Sequence, residues 1–202
     1  MKKNEKKLKP AVFIDRDGTI SPEVGYINHE DRFSLLPKTA RAIKYLNDNK
    51  LLSVVCTNQA GVARGYFEEK MIKKVHAKMK KLLKEKNAYV DDINYCPHHP
   101  QVGNAKYRKK CDCRKPGTLM LEESIKKHKV SRAVSYVIGD KMSDMIWGHK
   151  AGMKSVMVMT GYGKGEYTYQ RKTWKDKPEY IAEDLLDAVK WIVKDLKKNK
   201  IK

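Results

Sequence analysis

The sequence predicts an α/β protein: a three-layer α/β/α sandwich on a mostly parallel, Rossmann-like sheet, with no large cap domain. Three observations predict it. Short apolar runs such as Ala11-Val12-Phe13-Ile14 read as strands buried on both faces. They alternate with stretches of helical hydrophobic period. No internal repeat, dividing linker or cap-sized insertion interrupts the alternation.

Taken in order, Ala11 to Ile14 is the first strand, and Gly18 to Pro37, punctuated by Gly, Pro and Asn, is an irregular flap. Pro37 to Asn49 is helical, with Pro in the first turn and Ala40, Ile43 and Leu46 on one stripe. Leu52 to Cys56 is the second strand. Phe67 to Lys86 is an amphipathic helix whose apolar face is Ile72, Val75, Met79, Leu82 and Leu83, a pattern of core packing. Ala88 to Tyr95 reads as a third strand, Leu119 to His128 as a helix and Val134 to Ile138 as a buried strand. Ser143 to Ala151 is a helix, Ser155 to Met159 a strand, and about Glu183 to Leu196 the last helix. Gly161-Tyr162-Gly163-Lys164-Gly165 has neither the spacing of a nucleotide-binding loop nor a following helix, and reads as a flexible turn.

The chain has 202 residues, a length that suits one domain, assigned to residues 10–196 between Lys-rich tails at 1–9 and 197–202. Hydrophobic residues make up 41% and charged residues 34%, enough apolar content for a core. No apolar run approaches the roughly 18–20 residues that span a bilayer. Behind Met1-Lys2-Lys3 the only apolar stretch, Ala11 to Ile14, meets Asp15, too soon for a secretory leader. A cytoplasmic protein without membrane association is expected, and a monomer is the default.

Lys and Arg number 44 against 24 Asp and Glu, a formal net charge of +20. Such a charge invites a nucleic-acid reading. However, the lysines crowd the tails and the Lys70–Lys86 helix, and no aromatic residues interleave them as stacking platforms. Solvated lysine faces are the reading preferred, ahead of a field that gathers small anions; nucleic acid comes last.

Of four cysteines, Cys56 lies in an apolar strand and reads as core filling. The others form Cys96-Pro97-His98, then Cys111-Asp112-Cys113. Three thiolates and one imidazole complete a closed tetrahedral shell, which marks a structural Zn²⁺ site spanning residues 96–113. The stretch between has no apolar period and cannot order itself by burial, so a metal clip has a physical role. His98 shares the tight turn with Cys96 and is preferred to His99, which reads as a surface histidine. The competing reading is a loop of free thiols.

In an open α/β sheet, ligands bind beyond the carboxyl ends of the strands. There the sequence places Asp15-Arg16-Asp17-Gly18-Thr19, Thr57-Asn58-Gln59-Ala60-Gly61 and Gly139-Asp140-Lys141-Met142-Ser143-Asp144, with Arg114-Lys115-Pro116 after the last cysteine. Carboxylates gathered at one rim repel unless a hard cation sits among them, and Mg²⁺ is the usual solution. A hydroxyl, backbone N–H groups and a lysine beside it suit a phosphoryl group. Each piece alone is ordinary; the ordered combination is specific.

These residues resemble the four motifs of the haloacid-dehalogenase-like phosphatases: Phe13 to Thr19, Thr57, Lys115, and Gly139-Asp140 with Asp144. Thr57 to Gly65, Tyr95 to Pro100 and Cys111 to Pro116 narrow the resemblance to the group containing heptose 1,7-bisphosphate 7-phosphatases and histidinol-phosphate phosphatases. The resemblance covers about Ala11 to Gly161. It implies that Asp15 is a nucleophile forming an aspartyl-phosphate and that Asp17 is the general acid/base. It implies that Asp15, Asp140 and the Asp17 carbonyl hold Mg²⁺, that Thr57 and Lys115 bind the transferring phosphate, and that Asn58, Gln59, Arg114 and Lys141 meet substrate. Asp144 becomes an orienting residue; Arg64 has no assigned role. Gly117-Thr118 follows Pro116 directly where relatives often carry a further Pro-Gly pair, which alters the mouth beside Lys115. The implied substrate is a small phosphorylated sugar, D-glycero-D-manno-heptose 1,7-bisphosphate, losing its 7-phosphate. Histidinol phosphate is the near alternative and a polynucleotide 3′-phosphate a further one. The non-enzymatic alternative is a basic, zinc-stabilised binding module.

Overall fold

The computed structural model describes residues 8–199. Residues 1–7 and 200–202 of the Lys-rich tails lie outside the described residues. Strands β1 (Ala11–Ile14), β2 (Leu52–Asn58), β3 (Asp92–Cys96), β4 (Tyr136–Gly139), β5 (Lys154–Val158) and β6 (Tyr180–Ala182) form one sheet in the order β3-β2-β1-β4-β5-β6. Every pairing in it is parallel. Helices α1 (Thr39–Asp48), α2 (Glu69–Lys84), α3 (Leu119–His128), α4 (Met142–Lys150) and α5 (Gly163–Gln170) make the crossovers, and α6 (Leu185–Asn199) follows β6.

Alternation along each strand divides the core in two. Val12, Ile14, Val55 and Ile138 pack on Ile43 and Leu46 of α1, Val75 and Met79 of α2, and Val189 and Ile192 of α6. Ala11, Phe13, Val54 and Val137 turn the other way, onto Met120 and Leu121 of α3 and Trp147 of α4. Strands covered on both sides are largely apolar, with Ser53, Thr57 and Ser155 as buried polar exceptions, and so they stand out in the sequence. Cys56 is buried in the second layer, where burial pushes its thiol up to about 12.

The structure corrects several expected boundaries. The third strand begins at Asp92 rather than Ala88, because the Asp91 side chain accepts from the Ser53 backbone N–H (2.8 Å) and Ser53 Oγ (3.1 Å) just before the ladder starts. The expected turn at 161–165 contains the start of α5. Gly163 is needed there because a Cβ would stand 1.8 Å from the Val158 carbonyl oxygen, so the glycine marks close approach to the end of β5. The short edge strand β6 was not expected. The last helix runs to Asn199, so residues 197–199 are helical rather than tail. Lys9 is likewise tied down: its N–H donates to Lys129 O at 3.0 Å, and its carbonyl accepts from Ser131 N–H at 2.9 Å.

Candidate active site

From β1 the chain winds outward through β2 and β3, then returns to lay β4 on the opposite side of β1. The carboxyl ends of β1 and β4 therefore flank a switch point, where such sheets open a crevice. The Asp15 N–H donates to Ile138 O at 2.9 Å, carrying the β1–β4 ladder to the rim. A cavity of about 420 Å³ opens above it, lined by Asp15, Asp17, Thr57, Asn58, Arg114, Lys115, Lys141 and Asp144 among others. Four separate segments thus converge as their positions after strands require.

At the floor, Lys115 Nζ lies 2.6 Å from Asp15 Oδ1 and 2.7 Å from Asp144 Oδ1, all three side chains being buried. Burial pushes the Asp15 carboxyl up to about 6 against the pull of the Lys115 ammonium; Asp144 and Asp17 add repulsion. Burial alone would lower Lys115, but the Asp144 and Asp15 carboxylates outweigh it and hold the ammonium firmly charged. Gly139 lets Asp144 come this close, since a Cβ there would stand 2.4 Å from the Asp144 side chain.

Asp140 is wholly buried below the cavity. Burial, then the negative charge of Asp15, pushes its carboxyl up to about 8. Its Oδ2 accepts from the Tyr162 backbone N–H at 2.8 Å, whereas its buried Oδ1 has no hydrogen-bond partner. Gly18 (φ +85°) and Gly161 (φ +54°) embrace this carboxylate, and a Cβ on either would stand within 2.2 Å of Oδ2. Oxygens of Asp15, Asp140 and Asp144 all lie within 4.8 Å of one another. An orphaned oxygen among crowded carboxylates fits a hard divalent cation with oxygen ligands.

Asp17 is held from several directions. Arg16 Nε and Nη2 donate to its two carboxylate oxygens at 2.9 and 2.8 Å, Gln59 Nε2 donates at 2.7 Å and Ser21 Oγ at 3.3 Å. The same Gln59 nitrogen donates to Thr57 Oγ1 at 2.9 Å. Gln59 is therefore buried behind the cavity, bracing Asp17 and Thr57 rather than lining the space for substrate. Asn58 lines the cavity, yet its amide also clamps Lys115: Oδ1 accepts from Lys115 N–H at 3.0 Å and Nδ2 donates to Lys115 O at 3.2 Å.

Opposite lies the cationic side. Lys141 sits 3.3 Å from Glu23 of the flap and 4.2 Å from the centre of the Tyr162 ring. Burial lowers Lys141, and the opposing carboxylates of Asp140 and Glu23 raise it further, so it stays charged. Arg114 reaches back to the His98 carbonyl at 3.4 Å. Sequence reasoning missed Glu23, Tyr26 and Tyr162 in the lining. Tyr162 was within reach of the strand-end rule, since it follows β5, but the glycines around it read as a turn.

Below the cavity's rim, Cys96, His98, Cys111 and Cys113 present four donor atoms within 4.8 Å of one another. Cys113 Sγ lies 2.9 Å from Cys96 Sγ, 3.1 Å from Cys111 Sγ and 3.2 Å from His98 Nδ1. All the cysteines are free thiols. Burial pushes Cys96 and Cys113 up as thiols, and it lowers His98, favouring its neutral ring. Three unpaired sulfurs and a neutral imidazole around one point fit zinc. His99 is not the idle surface residue expected. Its Nδ1 accepts from Gln101 and Val102 N–H at 3.1 and 3.3 Å, and its Nε2 meets Arg64 at 3.3 Å, which places Arg64 against this loop.

A carboxylate pair after the first strand, a lysine locked between acids and an acidic fourth segment, all at one switch point, define a haloacid-dehalogenase-like hydrolase. Residues 112–188 match the family model described as "HAD-hyrolase-like". The D-glycero-beta-D-manno-heptose-1,7-bisphosphate 7-phosphatase of Haemophilus ducreyi (strain 35000HP / ATCC 700724) is 43% identical over 189 residues, covering 91% of this chain and 98% of that one. That of Pasteurella multocida (strain Pm70) is 37% identical, covering 86% and 97%. The crystal structure of D,D-heptose 1,7-bisphosphate phosphatase from B. bronchiseptica, complexed with magnesium and phosphate, superposes with a TM-score of 0.81 at 28% identity over 92% of this chain and 99% of that one. The chain belongs to the D-glycero-D-manno-heptose-1,7-bisphosphate 7-phosphatase family. No helix among the described residues is long and apolar enough to cross a membrane.

Proposed function

We propose that this chain is a phosphoric monoester hydrolase that removes the 7-phosphate of D-glycero-D-manno-heptose 1,7-bisphosphate. The β anomer, named for the H. ducreyi and P. multocida relatives, is the preferred form. The observation that supports this most is the buried Asp15–Lys115–Asp144 arrangement, at 2.6 and 2.7 Å, opening into a cavity with cations on its far side.

An Asp15 carboxylate oxygen attacks phosphorus, and the bond from phosphorus to the sugar O7 breaks. Asp17, after taking up a proton from solvent, gives it to the departing O7. Water then attacks the aspartyl-phosphate; Asp17, now a carboxylate, takes its proton, and inorganic phosphate leaves with Asp15 restored. Lys115 and Thr57 hold the transferring phosphoryl oxygens, where fixed positive charge is worth most. Asp144 orients Lys115. Arg114 and Lys141 take the remaining phosphate, and Asn58 meets substrate from the cavity wall while fixing the Lys115 backbone.

Asp15, Asp140 and the main-chain carbonyl of Asp17 would hold Mg²⁺, which neutralises charge on the phosphoryl oxygens when bound. Cys96, His98, Cys111 and Cys113 would hold Zn²⁺, ordering the loop that delivers Arg114 and Lys115. Thiols left out of disulfides suit a reducing compartment, hence a cytoplasmic enzyme of sugar metabolism; a monomer is the default oligomeric state.

The test is a phosphate-release assay on both anomers of the bisphosphate, histidinol phosphate and a 3′-phosphorylated oligonucleotide, with phosphorus NMR to locate the phosphate lost. The expected outcome is the highest kcat/KM on the β bisphosphate, with the 1-phosphate retained. A tenfold or greater preference for histidinol phosphate, or salt-sensitive turnover of the oligonucleotide alone, overturns the assignment.

A further inference from the structure

The structure carries a buried feature that the proposed chemistry leaves unused. Arg16 stands between the two carboxylates of the first motif, yet its side chain is 1% exposed and does not line the cavity. It turns inward to α2, where Arg16 Nη1 lies 3.2 Å from His76 Nε2. His76 is itself buried, and its ring meets Tyr95 edge-on at 5.8 Å between centroids. Burial, then the adjacent Arg16 charge, pushes His76 down to about 3, so it is neutral and can accept.

A guanidinium donates in a fixed planar fork. With Nη1 taken by His76, the edge formed by Nε and Nη2 faces the two oxygens of Asp17 at 2.9 and 2.8 Å. Gln59 and Ser21 complete the set around that carboxylate. An arginine as deeply buried as this is destabilising unless its donors are matched, and here its partners are Asp17 and one imidazole.

We propose that His76 and Arg16 act as a positioning relay for Asp17: the imidazole fixes the roll of the guanidinium, and the guanidinium fixes the carboxyl that must reach the leaving oxygen and the attacking water. The inference rests on the reading of Asp17 as general acid/base. Neither His76 nor Arg16 touches substrate, so their loss acts on proton delivery and leaves nucleophile and phosphate contacts in place. His76→Gln keeps an acceptor near the Nε2 position; His76→Phe keeps the bulk and removes it. Arg16→Lys keeps the charge and removes the fork.

The experiment compares two substrates. Loss of the sugar alcohol from the heptose bisphosphate needs a proton, whereas p-nitrophenolate leaves from p-nitrophenyl phosphate without one. The pre-steady-state burst of p-nitrophenolate reads phosphorylation of Asp15 by itself. For H76F we expect kcat on the bisphosphate to fall by about tenfold with KM within about twofold. The burst rate stays within about threefold, and H76Q recovers most of the loss. R16K carries the same readouts should H76F not fold. Asp17→Asn is the reference: undiminished kcat on the bisphosphate would remove the acid/base reading itself. If D17N is crippled while both H76F and R16K match the native enzyme, or slow the burst as much as the bisphosphate reaction, the relay alone is overturned.

Discussion

Two clusters of side chains that could each hold a metal ion pose opposite problems. The Cys96–His98–Cys111–Cys113 group points four soft donors at one centre on a loop that lacks a core of its own. The Asp15–Asp140–Asp144 group is buried in the sheet's rim and is deliberately incomplete: Asp140 Oδ1 has no partner and Asp15 faces the cavity. A closed shell suits a structural metal, whereas a reactive one must leave room for substrate. The two meet at Lys115, which follows Cys113 by two residues and whose Nζ ends among the carboxylates. Structure in one cluster is thus converted into electrostatics in the other.

The largest test removes the proposed nucleophile. Asp15→Asn should abolish turnover, by about 10⁴-fold or more, with the fold intact by circular dichroism. Residual activity near the native level would leave the carboxylate cluster without a catalytic role. Next comes the clip. Cys113→Ser should take zinc from about one per chain to near none by metal analysis, and cut kcat by about 10²-fold through displacement of Lys115. Full activity without zinc would uncouple the two clusters.

A third experiment separates them by pH. Asp15 and Asp140 are raised to about 6 and 8, so the metal-free folded state binds more protons than the unfolded one. Their contribution is therefore lost as pH rises from about 4 to 8, and the metal-free melting temperature should fall across that window. Added Mg²⁺ should restore it most at the upper end, and Asp140→Asn should flatten the slope. A slope of the opposite sign in that native-minus-variant difference would contradict the crowding of charge at the rim. The smallest effect concerns Glu23, whose carboxylate lies 3.3 Å from Lys141. Glu23→Gln should free Lys141 and tighten inhibition by inorganic phosphate by about threefold. An unchanged inhibition constant would mean that Lys141 is not restrained by the flap.

The same contrast explains what could be read from the chain beforehand. β1, β2, β4 and β5 were legible because their positions are almost all buried, which leaves mainly apolar runs. β6 is short and half-buried, and α5 buries only Gly163, so neither leaves a periodic trace. Asp15, Asp140 and Lys115 were legible from chain position, since each follows a strand or a ligand pair. Side-chain direction was not. Nothing in the order of residues says that Gln59 turns behind the cavity, that Asn58 grips a backbone, or that Arg16 reaches α2. Cys-x-His and Cys-x-Cys were legible because a cluster of four donor atoms imposes its own spacing on a loop without other constraint.

The order β3-β2-β1-β4-β5-β6 has one more consequence. Strands β1 to β3 form one flank of the sheet and β4 to β6 the other, and the seam between β1 and β4 is where Asp15 meets Asp140. A chain that has emerged only as far as β3 carries Asp15 but neither Lys115 nor Asp140. A ligand held by both Asp15 and Asp140 would therefore bridge the two flanks across the β1–β4 seam. Bound ligand then stabilises the whole sheet by mass action rather than either half alone.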